Sequence, residues 1–134
     1  MSVAVVNSGG ANIASVLHAL RRLGAEPVFT ASANAIRAAD RVILPGVGAA
    51  GRAMEVLAGH GLVDTLRSLQ QPVLGICLGM QLLFDSSEED DAGLLGIIPG
   101  RLERLRETES LRVPHMGWNS LMQKKPDRLT ANLN

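Results

Sequence analysis

The most informative part of the sequence runs from residue 73 to residue 84 and reads Val73-Leu74-Gly75-Ile76-Cys77-Leu78-Gly79-Met80-Gln81-Leu82-Leu83-Phe84. It begins with a short apolar run typical of a buried strand, and its second half is typical of a helix that follows that strand. The pattern Gly-x-Cys-x-Gly stands where the strand would turn into the helix. This is the layout of a nucleophile elbow, with a thiol in place of a serine hydroxyl.

The residues around Cys77 favour a reactive thiol. Gly75 and Gly79 stand two positions to either side, and glycine permits a sharp, strained turn without side-chain clashes. The start of the following helix would stabilise a thiolate, and its first N–H groups could hold an oxyanion. The alternative is a small core side chain, since free cysteines are often buried. The carboxyl end of a parallel strand is where α/β proteins place their sites, which favours the nucleophile.

Apolar runs alternate with amphipathic segments on the N-terminal side of this elbow. The apolar runs predict strands at Val3–Val6, Pro27–Phe29, Arg41–Leu44 and Pro72–Ile76, the third of them stopped by Pro45-Gly46. Helical spacing predicts a first helix that is capped by Asn12 and stopped by Gly24. Further helices are predicted at Ala33–Ala39, at about Ala53–Leu69 and at Leu78–Phe84. The second of these has a break at Gly59-His60-Gly61. Apolar strands that alternate with helices predict an α/β fold, with a layered, mostly parallel sheet covered by helices on both faces.

The sequence after residue 84 is less regular. The acidic run from Ser86 to Asp91 is predicted to be a solvated loop and is given no other role. Shorter strands and turns are predicted at Leu94–Ile98, Gly100–Leu105 and Leu111–Val113.

Composition excludes several classes of protein. The 134 residues, 46% of them hydrophobic, predict a single domain that spans residues 1–134. Thirteen basic and thirteen acidic residues cancel, and aromatic residues make up 2%, so neither nucleic acid nor an anionic membrane is an expected partner. No apolar run is long enough to span a membrane, and the start lacks the features of a secretory leader. A lone cysteine cannot form an internal disulfide, which predicts a cytoplasmic location.

Two glycine-rich turns precede predicted helices. The turn Pro45-Gly46-Val47-Gly48 ends the strand beside Cys77, so one of its N–H groups could complete an oxyanion hole, although an ordinary βα turn is the simpler interpretation. The segment Asn7–Asn12 has Gly9-Gly10 before a helix but lacks the spacing of known phosphate-binding motifs. We therefore interpret it as a loop.

The three histidines do not offer an obvious base for Cys77. His18 is predicted to flank the apolar stripe of the first helix, and His60 to lie in a solvated helix break. His115 belongs to the loop Val113–Asn119, in which Trp118 either contributes to a partner-binding surface or plugs a local core. One cysteine and scattered histidines do not support a zinc site, and no cofactor is expected.

Three motifs together carry a family resemblance. They are Gly75–Gln81, Leu44–Gly48 and Pro114–Asn119, and the opening Ser8–Val16 is similar as well. The first motif resembles class I glutamine amidotransferases in general, which have a flavodoxin-like core. The run Pro114-His115-Met116-Gly117-Trp118-Asn119 narrows the resemblance to the glutamine amidotransferase subunit of imidazole glycerol phosphate synthase, in the histidine pathway.

The resemblance implies a role for each motif. Cys77 would attack the side-chain amide of glutamine, form a glutamyl thioester and release ammonia to a (β/α)8-barrel cyclase subunit. The backbone of Leu78 and of Val47 and Gly48 would form the oxyanion hole, with Gly46, Gly79 and Gln81 beside the bound glutamine. Asn12, His115, Met116, Trp118 and Asn119 would face the barrel.

The resemblance also defines an expected gap. Members of this family continue through a Phe-Val-His-Ser-Tyr strand and a Gln-Phe-His-Pro-Glu segment, whose His and Glu complete a Cys-His-Glu triad. The sequence contains neither segment, so we expect a domain that is incomplete at its C-terminus, lacks the final strands and has marginal stability.

Two alternatives remain at this stage. The chain could be a catalytically inactive module that only docks on the cyclase subunit. It could also be another cysteine hydrolase of the same layered architecture whose elbow uses a nearby acidic residue. The second is disfavoured because no carboxylate stands at the matching strand end.

Overall fold

The computed structural model describes residues 1–10, 12–110 and 112–131. The chain divides into two compact units, Met1–Arg104 and Leu105–Asn134, which are treated separately below. The first unit holds all the helices and strands found in the described residues. Within the described part of the second unit, the backbone forms turns, bends and irregular segments only.

The first unit is built on a parallel sheet. Its four strands are β1 (Ser2–Val6), β2 (Glu26–Thr30), β3 (Arg41–Gly46) and β4 (Val73–Cys77). They lie in the order β2-β1-β3-β4, and every neighbouring pair is parallel. The α/β class and the parallel sheet predicted from the sequence are confirmed.

Five helices connect or follow these strands: α1 (Ile13–Arg22), α2 (Ala33–Ala38), α3 (Ala50–Gly59), α4 (Val63–Arg67) and α5 (Leu78–Gln81). Asn12 caps α1 as predicted, because its side-chain oxygen accepts a hydrogen bond from the Ser15 N–H. The predicted break at Gly59-His60-Gly61 separates α3 from α4, and Gly61 adopts a φ of 66° there.

The core has two parts because consecutive strand residues point to opposite faces of the sheet. On one face, Val3, Val5 and Ile43 pack against α1. The other face is larger and carries the remaining helices around the buried residues Ala4, Val6, Ile36, Val42, Leu44, Ala50, Ala53, Leu57, Leu62, Leu66, Leu78 and Leu82. Helices therefore cover both faces, as the alternation of apolar and amphipathic segments predicts.

Two predicted boundaries near the elbow are wrong. β3 does not stop before Pro45-Gly46, because these residues continue the ladder opposite Ile76 and Cys77 of β4. The helix predicted at Leu78–Phe84 ends at Gln81. The carbonyls of Leu82, Leu83 and Phe84 instead accept hydrogen bonds from the N–H groups of Leu95, Ile97 and Gly96, so the returning chain replaces the next helical turn.

The acidic run is more than a solvated loop. It forms β5 (Ser86–Ser87) and a 3-10 turn at Glu89–Asp91, and β5 pairs with β6 (Ala92–Gly93) and β7 (Arg101–Leu102) in a small second sheet. Ser87 is buried. Leu94–Ile98 is not a strand, although Leu94 and Leu95 are buried. Of the short strand or turn predicted at Leu111–Val113, Leu111 lies outside the described residues, and the other two residues are not in a strand.

Not every apolar strand is covered on both faces. In β4, Leu74 is 44% exposed and Ile76 39%. In β2, Val28 and Phe29 are exposed as well. The expectation of full cover is therefore wrong for these two strands, which are the outer strands of the sheet as described.

Asp40, the residue that precedes β3, is hydrogen-bonded to Ser2 at the start of β1. Its Oδ2 accepts hydrogen bonds from the Ser2 N–H at 2.8 Å and from the Ser2 hydroxyl at 2.9 Å. The Asp40 N–H in turn donates to the Ser2 Oγ at 3.0 Å. The hydrogen bond from the Ser2 backbone, followed by that from its hydroxyl, lowers the pKa of the Asp40 carboxyl below its ordinary value of 3.8.

We expect Asp40→Asn to lower the free energy of unfolding at neutral pH and to remove part of its decline in acid. A carboxyl whose pKa is depressed by folding contributes stability above its unfolded pKa, and this contribution is lost as the pH falls through the folded pKa. The parent should therefore lose this contribution below pH 3.8. Urea denaturation across that range measures it, with Asp64→Asn as control because the Asp64 side chain is 98% exposed. Identical pH profiles for the parent and Asp40→Asn would contradict the expectation.

Candidate active site

Cys77 forms a strained turn between β4 and α5. It is the last residue of β4, its φ is 55° and its ψ is −121°, and α5 begins at the next residue. A positive φ is unfavourable for a residue with a side chain, and such strain is found at functional sites. The Cys77 side chain is exposed. The interpretation of Cys77 as a small core residue is therefore wrong, and the geometry is that of a nucleophile elbow.

The elbow depends on close backbone packing at three glycines. A Cβ on Gly75 would lie 2.5 Å from the Cα of Met80, and one on Gly46 would lie 2.8 Å from the N of Gly79. A Cβ on Gly79 would overlap the carbonyl oxygen of Leu44. These contacts are with backbone atoms, which cannot move aside as the end of a flexible side chain can. Glycine at these positions is therefore a steric requirement of the turn.

The turn Pro45–Gly48 lies beside the elbow and is tied to the loop after β1. The Ser8 hydroxyl is buried and donates to the Pro45 carbonyl at 2.6 Å. The Val47 N–H donates to the Gly10 carbonyl at 3.2 Å. Val47 was predicted as an oxyanion donor, but in this conformation its N–H is already engaged. The Gly48 N–H has no hydrogen-bond acceptor among residues 1–10, 12–110 and 112–131, and Gly48 has a φ of 88°.

The first turn of α5 follows Cys77 directly. Leu78 and Gly79 are buried, and the N–H groups at the start of a helix have no intrahelical acceptor. Gln81 lies one turn after Cys77 and is partly buried, while Met80 is 47% exposed. The structure thus brings Gly46, Leu78, Gly79 and Cys77 together at the carboxyl ends of β3 and β4.

In the described part of the chain, no candidate base is hydrogen-bonded to the Cys77 thiol. Across those residues, no histidine, aspartate or glutamate side chain is hydrogen-bonded to Cys77. His18 and His60 are exposed, as predicted, and His60 follows the end of α3. The described residues also contain no group of three or more potential metal ligands and no helix long and apolar enough to cross a membrane.

The predicted partner-facing residues fall into both units. In the first unit, Asn12 is exposed and caps α1. In the second, the Nε2 of His115 and the Nδ2 of Asn119 are 2.9 Å apart. Met116 is 85% exposed and Trp118 is fully exposed. Trp118 therefore does not plug a local core, and the contact role of this loop stays a prediction.

Sequence reasoning missed the part played by Ser8. We interpreted the segment Asn7–Asn12 as a plain loop, but its second residue is buried and bonded to the turn beside the elbow. The signal available in the sequence was a residue with a hydroxyl group shortly after a buried strand. In a parallel sheet, such a residue lies at the edge where the neighbouring strands also end. The pattern alone does not name the partner, because Pro45 is 37 residues away in sequence.

The model of the family described as "Glutamine amidotransferase class-I" matches residues 4–134. The chain belongs to the class-I glutamine amidotransferases. The family resemblance deduced from the elbow is thereby confirmed.

Curated relatives agree with this assignment. "Imidazole glycerol phosphate synthase subunit HisH" from Xylella fastidiosa strain Temecula1 is 52% identical over 131 residues, which cover 98% of this chain and 66% of that protein. The subunit of the same name from Xanthomonas axonopodis pv. citri is 50% identical with the same coverage. The amidotransferase chain thus spans about two thirds of the length of these relatives.

A solved structure supports the fold independently. It is described as "Crystal structure of glutamine amidotransferase" and superimposes with a TM-score of 0.62, covering 76% of this chain and 56% of that chain. The sequence identity is 23%, so the likeness bears on the fold alone.

We expect Gly79→Ala to destabilise this amidotransferase domain strongly. The new methyl group would overlap the Leu44 carbonyl, so the free energy of unfolding should fall by about 3 kcal/mol. Gly93→Ala is the control, because a Cβ at Gly93 would have nothing within 4 Å and should change stability by less than about 0.5 kcal/mol. Urea denaturation compares the two, and equal stabilities would show that the backbone at the elbow can separate at little cost.

Proposed function

We propose that the protein is the glutaminase subunit of an imidazole glycerol phosphate synthase, acting in histidine biosynthesis in the cytoplasm. The observation that carries this proposal is the exposed thiol of Cys77 at a strained elbow, in a chain about half identical to subunits of that name. The described chain would be most of one glutamine amidotransferase domain. The exposed elbow disfavours a purely docking role, since a chain that only docks has no use for a strained cysteine.

The reaction is the hydrolysis of glutamine to glutamate and ammonia. The Cys77 sulfur, as a thiolate, attacks the carbonyl carbon of the side-chain amide and gives a tetrahedral oxyanion. The C–N bond then breaks, and the leaving nitrogen takes a proton and departs as ammonia. Water attacks the resulting thioester, the C–S bond breaks, and glutamate and the free thiol are formed.

Backbone N–H groups would hold the oxyanion in a preorganised position. The donors that fit this role are the N–H of Leu78, at the start of α5, and the N–H of Gly48, which has no acceptor in the described part of the chain. Val47 could donate only after its N–H leaves the Gly10 carbonyl. Gly46 and Gly79 would leave room for the substrate chain, and Gln81 would lie beside the bound glutamine, one turn from the nucleophile.

The described residues supply the nucleophile but no base. Attack by the thiol needs a group that takes its proton. The family resemblance assigns this task to a histidine that is oriented by a glutamate, in segments that these 134 residues do not contain.

We therefore expect a polypeptide of these 134 residues to hydrolyse glutamine very slowly. Fusing it to the last third of the Xylella fastidiosa relative should raise turnover by about 10²-fold or more, the usual contribution of a positioned base. Cys77→Ser in the same fusion is the matched control and should abolish the gain. The assay measures glutamate release in the presence of the cyclase subunit, and fast, Cys77-dependent turnover by the 134 residues alone would refute the missing base.

The proposed partner is a (β/α)8-barrel cyclase, which would use the ammonia to make imidazole glycerol phosphate and an aminoimidazole carboxamide ribonucleotide. The candidate contacts are Asn12 in the first unit and His115, Met116, Trp118 and Asn119 in the second. Full exposure of Trp118 supports this assignment, because large exposed aromatic side chains are frequent anchors of protein interfaces.

We expect Trp118→Ala to weaken association with the cyclase subunit by roughly 30-fold, which corresponds to about 2 kcal/mol. Cys77→Ser should leave association unchanged, since the elbow acts on glutamine. Leu129→Ala is the control for a truncated apolar side chain, because Leu129 is 74% exposed and lies outside the loop. Isothermal titration with purified cyclase measures all three, and equal dissociation constants for the parent and Trp118→Ala would remove Trp118 from the interface.

A further inference from the structure

The Ser8 hydroxyl links the loop after β1 to the end of β3, beyond the last pair of residues that joins the two strands. The two strands pair only as far as Val5 and Ile43. Two residues after Ile43, the Pro45 carbonyl accepts a hydrogen bond from the Ser8 hydroxyl instead of from a strand N–H. Ser8 is 5% exposed and the bond length is 2.6 Å, so this is a short hydrogen bond shielded from water.

This bond fixes the orientation of a peptide group next to the elbow. The Pro45 carbonyl and the Gly46 N–H belong to one planar unit, so holding the oxygen also sets the direction of Gly46. Gly46 packs directly on Leu78 and Gly79, with room for no side chain. A rotation of that peptide would therefore disturb the first turn of α5, which begins directly after Cys77.

The neighbouring residues of the loop reinforce this position. Gly9 packs against Val56 of α3 with no room for a Cβ, and the Gly10 carbonyl accepts the Val47 N–H at 3.2 Å. The loop cannot slide along the turn without breaking these contacts. Ser8 is the member of the loop that acts on the turn through its side chain, so it can be tested by substitution.

We propose that Ser8 is a positioning residue for the glutaminase reaction, which holds the Pro45–Gly48 turn against the elbow so that a backbone N–H of the turn can reach the oxyanion formed at Cys77. This inference rests on the proposed function. Ser8 does not touch the reacting atoms, so its effect is on the transition state through the turn. Loss of the hydroxyl lowers kcat and leaves the KM for glutamine nearly unchanged.

The experiment compares Ser8→Thr with Ser8→Val in the assembly of the cyclase subunit with the fusion that carries the last third of the Xylella fastidiosa relative. These two side chains have nearly the same shape and differ in the hydroxyl group. Ser8→Ala gives the same loss of the hydroxyl with a smaller change in volume, so the comparison survives a failure of Ser8→Val to fold. Steady-state glutaminase kinetics give kcat and KM, and amide hydrogen exchange follows Gly46, Val47 and Gly48.

We expect Ser8→Thr to retain most of the parent kcat, and Ser8→Val and Ser8→Ala to lose about tenfold to a hundredfold in kcat at nearly constant KM. Amide exchange in the turn should accelerate in the same two variants. Equal kcat values for the variants with and without the hydroxyl would overturn the inference while leaving the proposed function intact. A parent synthase without Cys77-dependent glutaminase activity would overturn the proposed function, and the role of Ser8 with it.

Discussion

The structure around Cys77 depends on the close approach of two backbone segments, the end of β3 and the first turn of α5. Gly79 lies against the Leu44 carbonyl, and Gly46 lies against Gly79, with no space for a side chain between them. This contact draws α5 back over the sheet immediately after β4 ends. Cys77 is then left at the apex with a positive φ and an exposed thiol.

The carboxyl ends of β1, β3 and β4 lie at the same edge of the sheet. The loop after β1 reaches the turn after β3 through the hydroxyl of Ser8 and the carbonyl of Gly10, and that turn packs on the elbow after β4. A parallel sheet makes this possible because all of its strands end at the same edge. In this turn the Val47 N–H is bonded to the Gly10 carbonyl, whereas the Gly48 N–H has no acceptor among the described residues.

This arrangement also limits what the described residues can do alone. They supply an exposed sulfur and backbone N–H groups, but no histidine, aspartate or glutamate side chain within them is hydrogen-bonded to that sulfur. The exposed apolar residues of β4, Leu74 and Ile76, lie on the strand that ends in Cys77.

Local sequence determined the α/β class, the four parallel strands and the Asn12 cap, because these depend on hydrophobic periodicity and on a capping side chain. It also determined the helix break at Gly59-His60-Gly61 and the elbow at Cys77, because these depend on the conformational range of glycine. Tertiary structure decided what depends on residues distant in sequence. Backbone hydrogen bonds from the returning segment 95–97 ended α5 at Gln81, the acidic run became a small sheet, and the Val47 N–H was taken by Gly10. The buried bond from Ser8 to Pro45 belongs to the same group, since a sequence pattern records which groups can form hydrogen bonds and only the folded chain brings a particular pair within reach.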